Sequence, residues 1–329
     1  MRATRVLNWG LLGTARINHA LIPPLRMSPR NRLVAVASRT QARGREFAAE
    51  WEIPKVYAGY EAMLAAPDID VVYIPLPNGL HAEWTVKAAQ AGKHVLCEKP
   101  LAISLSEVDA IIEAAQKAGV VVAEAFMYRH HPQTLKVKEL VDGGAVGDLQ
   151  LVRGSFSFNL TRPDDVRLIA DLGGGSIWDV GCYPISYARM IAGCEPQEVF
   201  GWQVTGPQGV DLAFAGQMRF PNGVMAQFDS SFRSPYRVQI EIVGSEGALT
   251  VPVPFAPGEN ESITLRRGEE TQRVEFPGQH AYLGEVEDLA DAILEGKAPR
   301  LSLADSRKTV ATILALLRSA QTGLPVTLP

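Results

Sequence analysis

With 329 residues the chain is long enough for two domains, each with its own hydrophobic core, and its 47% hydrophobic and 21% charged residues are those of a soluble globular protein. A net charge of −4 offers a polyanion no basic surface, which argues against nucleic acid as a partner. Cys97, Cys182 and Cys194 make no C-x-x-C pair, and no window holds the roughly 18 uninterrupted apolar residues of a membrane helix, so a cytoplasmic protein with reduced thiols is expected.

The chain opens with Met1-Arg2 ahead of an apolar stretch, superficially like a secretion signal. Asn8 interrupts the stretch and Thr14-Ala15-Arg16 follow at once, which fits a buried first strand, Val6 to Leu12, better. Short β-branched runs then alternate with amphipathic stretches of helical length as far as about Ala125. The runs Leu33 to Ala37, Val71 to Ile74, His94 to Cys97 and Val120 to Ala123 are expected strands. The intervening helices are expected at Ala15 to Met27, Gln41 to Glu50, His81 to Ala91 and Ser104 to Ala118. Ser104 and Ser106 with Glu107 supply N-cap chemistry for the last of these, and Gly92 and Gly119 stand where C-caps belong. Near-continuously apolar strands between helices describe an α/β domain built on a doubly wound parallel sheet, the Rossmann arrangement.

In such a sheet ligands bind where the strands end. The first turn, Gly10-Leu11-Leu12-Gly13-Thr14-Ala15, departs from G-x-G-x-x-G by reading G-x-x-G-x-A, and it opens a helix whose first amides can meet a pyrophosphate. Where an NAD enzyme carries Asp or Glu at the end of strand two, this chain has Ser38-Arg39 with Arg43 one turn on. A hydroxyl and guanidinium groups donate hydrogen bonds to a 2′-phosphate that a carboxylate would repel, so the expected cofactor is NADP(H), with NAD(H) left open as a weaker substitute. Three more loops leave the same edge: Pro75 to His81, Glu98-Lys99-Pro100, and Phe126 to Pro132. The expected cofactor contacts are Gly10, Gly13, Thr14, Ala15, Arg16, Ile17, Ser38, Arg39, Arg43, Pro75, Leu76, Asn78, His81, Glu98 and Lys99. His130 and His131 are neighbours without Cys or carboxylate partners at ligand spacing, so no metal is expected there.

Beyond about Met127 the alternation ends. A helix from Gln133 to Asp142 leads into eight expected strands between Leu149 and Phe276, with turns such as Pro221-Asn222-Gly223 and Gly244 to Gly247. This is an α+β domain whose large, mostly antiparallel sheet has helices on one face and an open second face suited to subunit association. The division is expected at 1–126 and 127–329, with the last helix free to pack back on the first domain. Within the second part, Gly173-Gly174-Gly175 runs into Ser176 to Ile185, where Asp179 and Tyr183 stand four apart and share a helix face. Arg162, Asp164, Asp165 and Arg167, just before the glycines, are expected to face water rather than a ligand.

Taken in order, the first turn, Pro77-Asn78-Gly79-Leu80-His81, Glu98-Lys99-Pro100, Phe126-Met127-Tyr128-Arg129, and the glycine run leading to Asp179 and Tyr183 resemble the Gfo/Idh/MocA family over essentially the whole chain. The resemblance implies that Lys99 lies near nicotinamide and substrate and that the Lys99-Pro100 bond can be cis. Many relatives have histidine where this chain has Tyr183, so it looks more like the dimeric dihydrodiol dehydrogenases, glucose-fructose oxidoreductases and NADP-dependent sugar dehydrogenases, in which tyrosine is the proposed acid/base. The implied catalytic residues are Lys99, Tyr183 and Asp179, and the implied substrate residues are Arg129, Trp178, Asp179 and Tyr183. The expected reaction is reversible hydride transfer at a hydroxyl carbon of a sugar or cyclic vicinal diol, in a homodimer or homotetramer. Alternatives are a one-way NADPH reductase of a keto or anhydro sugar and a non-catalytic NADP-binding sensor.

Overall fold

A computed structural model describes residues 5–328, so Met1 and Arg2, on which the likeness to a secretion signal rests, lie outside the described residues. The first element, β1 (Leu7–Leu12), is buried at five of its six positions and lies between β2 (Asn31–Ser38) and β4 (Val71–Ile74). With β3 (Lys55–Ala58), β5 (His94–Glu98) and β6 (Val122–Ala125) the strands form an all-parallel sheet in the order β3-β2-β1-β4-β5-β6. That order reverses between β1 and β4, the place where open α/β sheets form their ligand crevice. All four residues of β4 are buried, as continuous apolar strands require when both faces are covered.

The helices of this part are α1 (Asn18–Met27), α2 (Gln41–Glu50), α3 (Tyr60–Leu64), α4 (His81–Gln90) and α5 (Leu105–Ala118). At the start of α5 the Ser104 hydroxyl accepts from the Glu107 amide at 3.3 Å, and the Glu107 carboxylate accepts from the Ile103 amide at 3.0 Å. Gly119 ends α5 in the left-handed region and the next amide, of Val120, returns to the Ala115 carbonyl at 3.1 Å. Leaving the helix therefore consumes Val120 and Val121, and β6 begins two residues later than the run of valines suggests. β3 and α3 have no counterpart among the expected elements: each is four or five residues long, too short for a periodic pattern.

Two compact units result, one running through His130 together with Tyr282–Arg307, the other His131–Ala281 together with Lys308 onward. The first unit thus includes α8 (Leu283–Glu295) and the beginning of α9 (Leu303–Thr322). Arg30 explains the placement of α8, for its half-buried guanidinium bonds Glu287, Asp291 at 2.6 Å and Glu295 at 3.0 Å along one face of that helix. A charge pairing across more than 250 residues leaves no local pattern.

In the second unit α6 (Pro132–Asp142) and α7 (Cys182–Ala192) accompany a nine-stranded sheet in the order β14-β13-β12-β11-β7-β10-β9-β8-β15. Its strands are β7 (Leu149–Asn159), β8 (Glu198–Thr205), β9 (Asp211–Arg219), β10 (Met225–Ser231), β11 (Arg233–Gly244), β12 (Ala248–Val251), β13 (Ile263–Arg267), β14 (Glu270–Val274) and the short β15 (Val326–Thr327). Every pairing is antiparallel except β7 with β10. Alternation decides the faces: Val152, Phe214, Met218, Phe228, Ile240 and Ile242 are buried. The opposite face carries Arg153, Gln217, Gln227, Asp229, Arg237 and Gln239 around a depression of about 630 Å³, with Trp202 exposed at its wall. This open face is more polar than the apolar content of the strands suggests.

Candidate active site

The first unit assembles its site from loops at one sheet edge. Gly13 adopts φ of 112°, which a side chain would strain, and its amide donates to the Ala37 carbonyl at the end of β2 at 2.9 Å. Asn18, fully buried, donates to the Gly13 carbonyl at 2.9 Å and so ties the turn to α1. Because α1 starts at Asn18 and not at Ala15, the amides of Thr14, Ala15, Arg16 and Ile17 precede it, and none donates to a backbone carbonyl among the described residues. Four successive unsatisfied N–H groups at a helix start suit the oxygens of a pyrophosphate. Gly10, by contrast, sits inside β1, where the Met63 sulfur lies 2.6 Å from the position a Cβ would occupy.

At the end of β2 Ser38 is buried while Arg39 and Arg43 are exposed. Burial raises the Tyr60 phenol pKa and the charges of Arg39 and Arg43 oppose it. The Tyr60 hydroxyl in turn is 3.6 Å from the Cβ position of Gly13.

Pro75, Leu76 and Asn78 lie on the next loop, where Asn78–Leu80 forms a short 3₁₀ turn. His81 is fully buried; its Nδ1 is 2.7 Å from the Pro100 carbonyl and its Nε2 is 2.6 Å from that of Leu76. It joins two loops of the edge through both ring nitrogens. Burial lowers its pKa, and the Pro100 and Leu76 carbonyls, which favour the charged ring, oppose that shift. The Lys99-Pro100 bond is cis. Behind it Tyr73, on β4, donates to Glu98 at 2.5 Å, and Tyr282 and Glu285 share that carboxylate's field. Glu285 is 1% exposed and neither of its carboxyl oxygens has a hydrogen-bond partner among the described residues. Burial first, and the charge of Glu98 second, push its pKa well above the usual range and favour the neutral acid.

Arg129 was expected at the substrate, yet its side chain is largely buried and its Nη1 donates to Asp305 at 3.4 Å, so it has a structural partner. The adjacent histidines diverge. Burial lowers the pKa of His130 to about 3, leaving its 3.7 Å approach to Asp288 a contact of a neutral ring and not an ion pair, whereas His131 caps α6 and bonds the Gln279 carbonyl.

In the second unit the candidate residues gather around one buried carboxylate that sequence reasoning missed. Asp211 accepts from the Ser176 hydroxyl at 2.6 Å and from the Ile177 amide at 2.9 Å, while Ser176 also meets the Ser230 hydroxyl at 3.0 Å. Gly175, with φ of 121°, brings the backbone so close that a Cβ there would lie 2.3 Å from an Asp211 oxygen. The segment Ile177–Gly181 then makes a π-helical turn that runs directly into α7, which puts Asp179 in the wide turn and Tyr183 in the first turn of the α-helix. Such wide turns recur at functional sites. Trp178 is buried at 6% exposure within this turn. Tyr183, also 6% exposed, has its ring centroid 5.4 Å from that of Phe156 and 5.2 Å from that of Phe255, two rings that stack on each other.

The loop before the glycines departs from expectation. Asp165 is buried, accepting from Arg162 at 2.6 Å and from Arg167 at 3.3 Å, and Arg167 Nε donates to Asp179 at 2.6 Å. Its spacing to Asp179 follows no secondary-structure period, which is why a solvated loop was the simpler reading.

Comparison with known proteins agrees with both halves. Residues 7–126 match the profile described as an oxidoreductase family with an NAD-binding Rossmann fold, and residues 134–250 match the GFO/IDH/MocA C-terminal domain. The chain belongs to the Gfo/Idh/MocA family of oxidoreductases. It is 39% identical over 324 residues to a D-xylose 1-dehydrogenase (NADP(+)) of Haloferax volcanii, covering 97% of this chain and 99% of the other. The crystal structure of KijD10, a 3-ketoreductase from Actinomadura kijaniata in complex with NADP and TDP-benzene, superposes with a TM-score of 0.91 at 30% identity, covering 96% and 98% of the two chains. The aldose-aldose oxidoreductase of Caulobacter crescentus, complexed with glycerol, gives 0.92 at 28% identity, covering 98% and 100%.

Two stability measurements test this description. Glu285 stays protonated when folded but ionises when unfolded, so stability falls by about 1.4 kcal/mol per pH unit once pH rises above the ordinary glutamate pKa of about 4.3. Glu285→Gln is expected to melt higher than wild type near pH 8 and to lose that advantage near pH 4. Gly175→Ala is expected to cost about 2 kcal/mol or more in urea unfolding, from backbone strain and displacement of Asp211.

Proposed function

We propose that the protein is an NADP(H)-dependent oxidoreductase acting on a hydroxyl carbon of a sugar or cyclic vicinal diol. The observation that carries this reading is the pairing of Asp179 and Tyr183 on consecutive turns, the first held by an arginine and the second by two aromatic rings. Tyr183 takes the hydroxyl proton in oxidation and returns it in reduction, and Asp179 orients a substrate hydroxyl. Lys99 stabilises negative charge developing on the reacting oxygen. The nicotinamide supplies or accepts the hydride when bound.

The unsatisfied amides of 14–17 would hold the pyrophosphate, and Arg39 and Arg43 the 2′-phosphate. The NADP named with the xylose dehydrogenase and with the ketoreductase supports the same cofactor. The ketoreductase also favours a second reading, one-way reduction of a keto sugar, which a panel run in both directions separates from reversible oxidation. The open face of the nine-stranded sheet, where Trp202 is 61% exposed among charged groups, supports a homodimer or homotetramer.

The central test is formation of NADPH across aldoses and diols, with NAD in parallel; a preference for NAD would overturn the role given to Arg39 and Arg43. Tyr183→Phe and Lys99→Met are expected to lose about two to four decades of kcat while still binding NADPH by fluorescence. Undiminished turnover in either removes that residue from the mechanism. For assembly, sedimentation equilibrium is expected to show a mass at least twice the chain's, and a monomer at all concentrations would refute it.

A further inference from the structure

Arg167 is held with unusual definition for a loop residue. Its Nε donates to Asp179 at 2.6 Å and its Nη1 to the buried Asp165 at 3.3 Å, while its guanidinium carbon lies 5.9 Å from the centre of the Phe158 ring. Asp165 is fixed in turn: it caps the short turn Val166–Leu168, accepting from the Arg167 amide at 3.1 Å, and pairs with Arg162. With Nε and Nη1 committed, Nη2 has no hydrogen-bond or ion-pair partner among the described residues, and the side chain is 39% exposed. The guanidinium is planar, so one Nη2 hydrogen points the same way as the Nε hydrogen, alongside the Asp179 carboxylate. A donor and an acceptor of fixed geometry therefore stand side by side.

Arg162 and Arg167 stand against Asp165 and Asp179 in this cluster. A guanidinium hydrogen beside a carboxylate suits two neighbouring hydroxyl groups, one accepting from nitrogen and the other donating to oxygen. We propose that Arg167 is a substrate-selecting residue, whose Nη2 and the Asp179 carboxylate together recognise a pair of adjacent hydroxyls on an uncharged sugar. The assignment rests on the reading that Asp179 meets the substrate. Arg167 also keeps Asp179 in place, so its substitution has a positioning effect on all substrates and a selective effect on some.

Monodeoxy analogues separate the two effects. For the best sugar of the panel and its analogues lacking one hydroxyl at each position, kcat and KM are measured with wild type, Arg167→Gln and Arg167→Lys. Wild type is expected to lose tenfold or more in kcat/KM on removal of either of two adjacent hydroxyls, the size of a charge-assisted hydrogen bond of about 1.5–3 kcal/mol. In Arg167→Gln the penalty at one of those positions is expected to shrink to less than about threefold, chiefly through a raised KM for the complete sugar. Arg167→Lys restores part of the discrimination, because its ammonium keeps the charge and a donor. Equal losses on every analogue, with discrimination unchanged, would overturn the assignment and leave Arg167 a structural support of Asp179. If wild type turns over no sugar or diol at all, the functional reading fails first and this assignment with it. A folded Arg167→Lys with wild-type stability keeps the comparison valid should Arg167→Gln melt low.

Discussion

Every strand of the six-stranded sheet is hydrogen-bonded parallel to its neighbours, so all six strands end at the same edge. That single directional constraint gathers the glycine turn after β1, the Ser38-Arg39 corner after β2, the loop after β4, the Glu98-Lys99-Pro100 loop after β5 and the turn after β6. No one of these segments has chemistry to spare by itself. Hydrogen bonds between loops then hold the edge: Gly13 to Ala37, Asn18 to Gly13, and His81 to both Leu76 and Pro100. The parts that meet a ligand are thus cross-braced by backbone carbonyls and need no contact with the ligand to take their shape.

The second unit solves a similar problem with a buried charge. Asp211, at the start of β9, collects the Ser176 hydroxyl and the Ile177 amide, and the glycine ahead of them must lack a side chain for the approach to be made. Desolvation pushes the Asp211 pKa up and these donors pull it back, which is the condition for a buried carboxylate to keep its charge and its grip. The π-helical turn that follows carries Asp179, and the loop between β7 and the glycines supplies the arginine that meets it. A single carboxylate in a sheet thereby sets where Asp179 stands in the turn that follows.

Buried titratable groups in the first unit behave differently. Glu285 and His130 have little solvent and no full complement of partners, so each is driven to its neutral form, the acid by a raised pKa and the base by one lowered to about 3. The charged groups are kept where partners are available, as with Arg30 along α8 and Arg307 on Asp109 at 2.7 Å. These pairs recruit a late stretch of chain into the first unit.

The alternation of apolar runs and amphipathic stretches was enough to read the parallel sheet, its order of helices and the edge at which Lys99 lies, because period and turn chemistry are local properties. The same locality made α5 and its caps legible at Ser104, Glu107 and Gly119. It failed at β3 and α3, whose length is below one period, and at β6, where the helix exit displaces the strand. It could not assign α8 to the first unit, see Asp211 beneath the glycine run, turn His81 inward or bring Arg167 to Asp179. Each of those outcomes depends on a partner distant in the chain or on burial, and neither distance in space nor desolvation has a sequence period. The types and order of the chemical groups, with the strand ends that carry them, were set by the chain itself; which groups are held, neutralised or left to meet a ligand was decided only when packing brought their partners within hydrogen-bond reach.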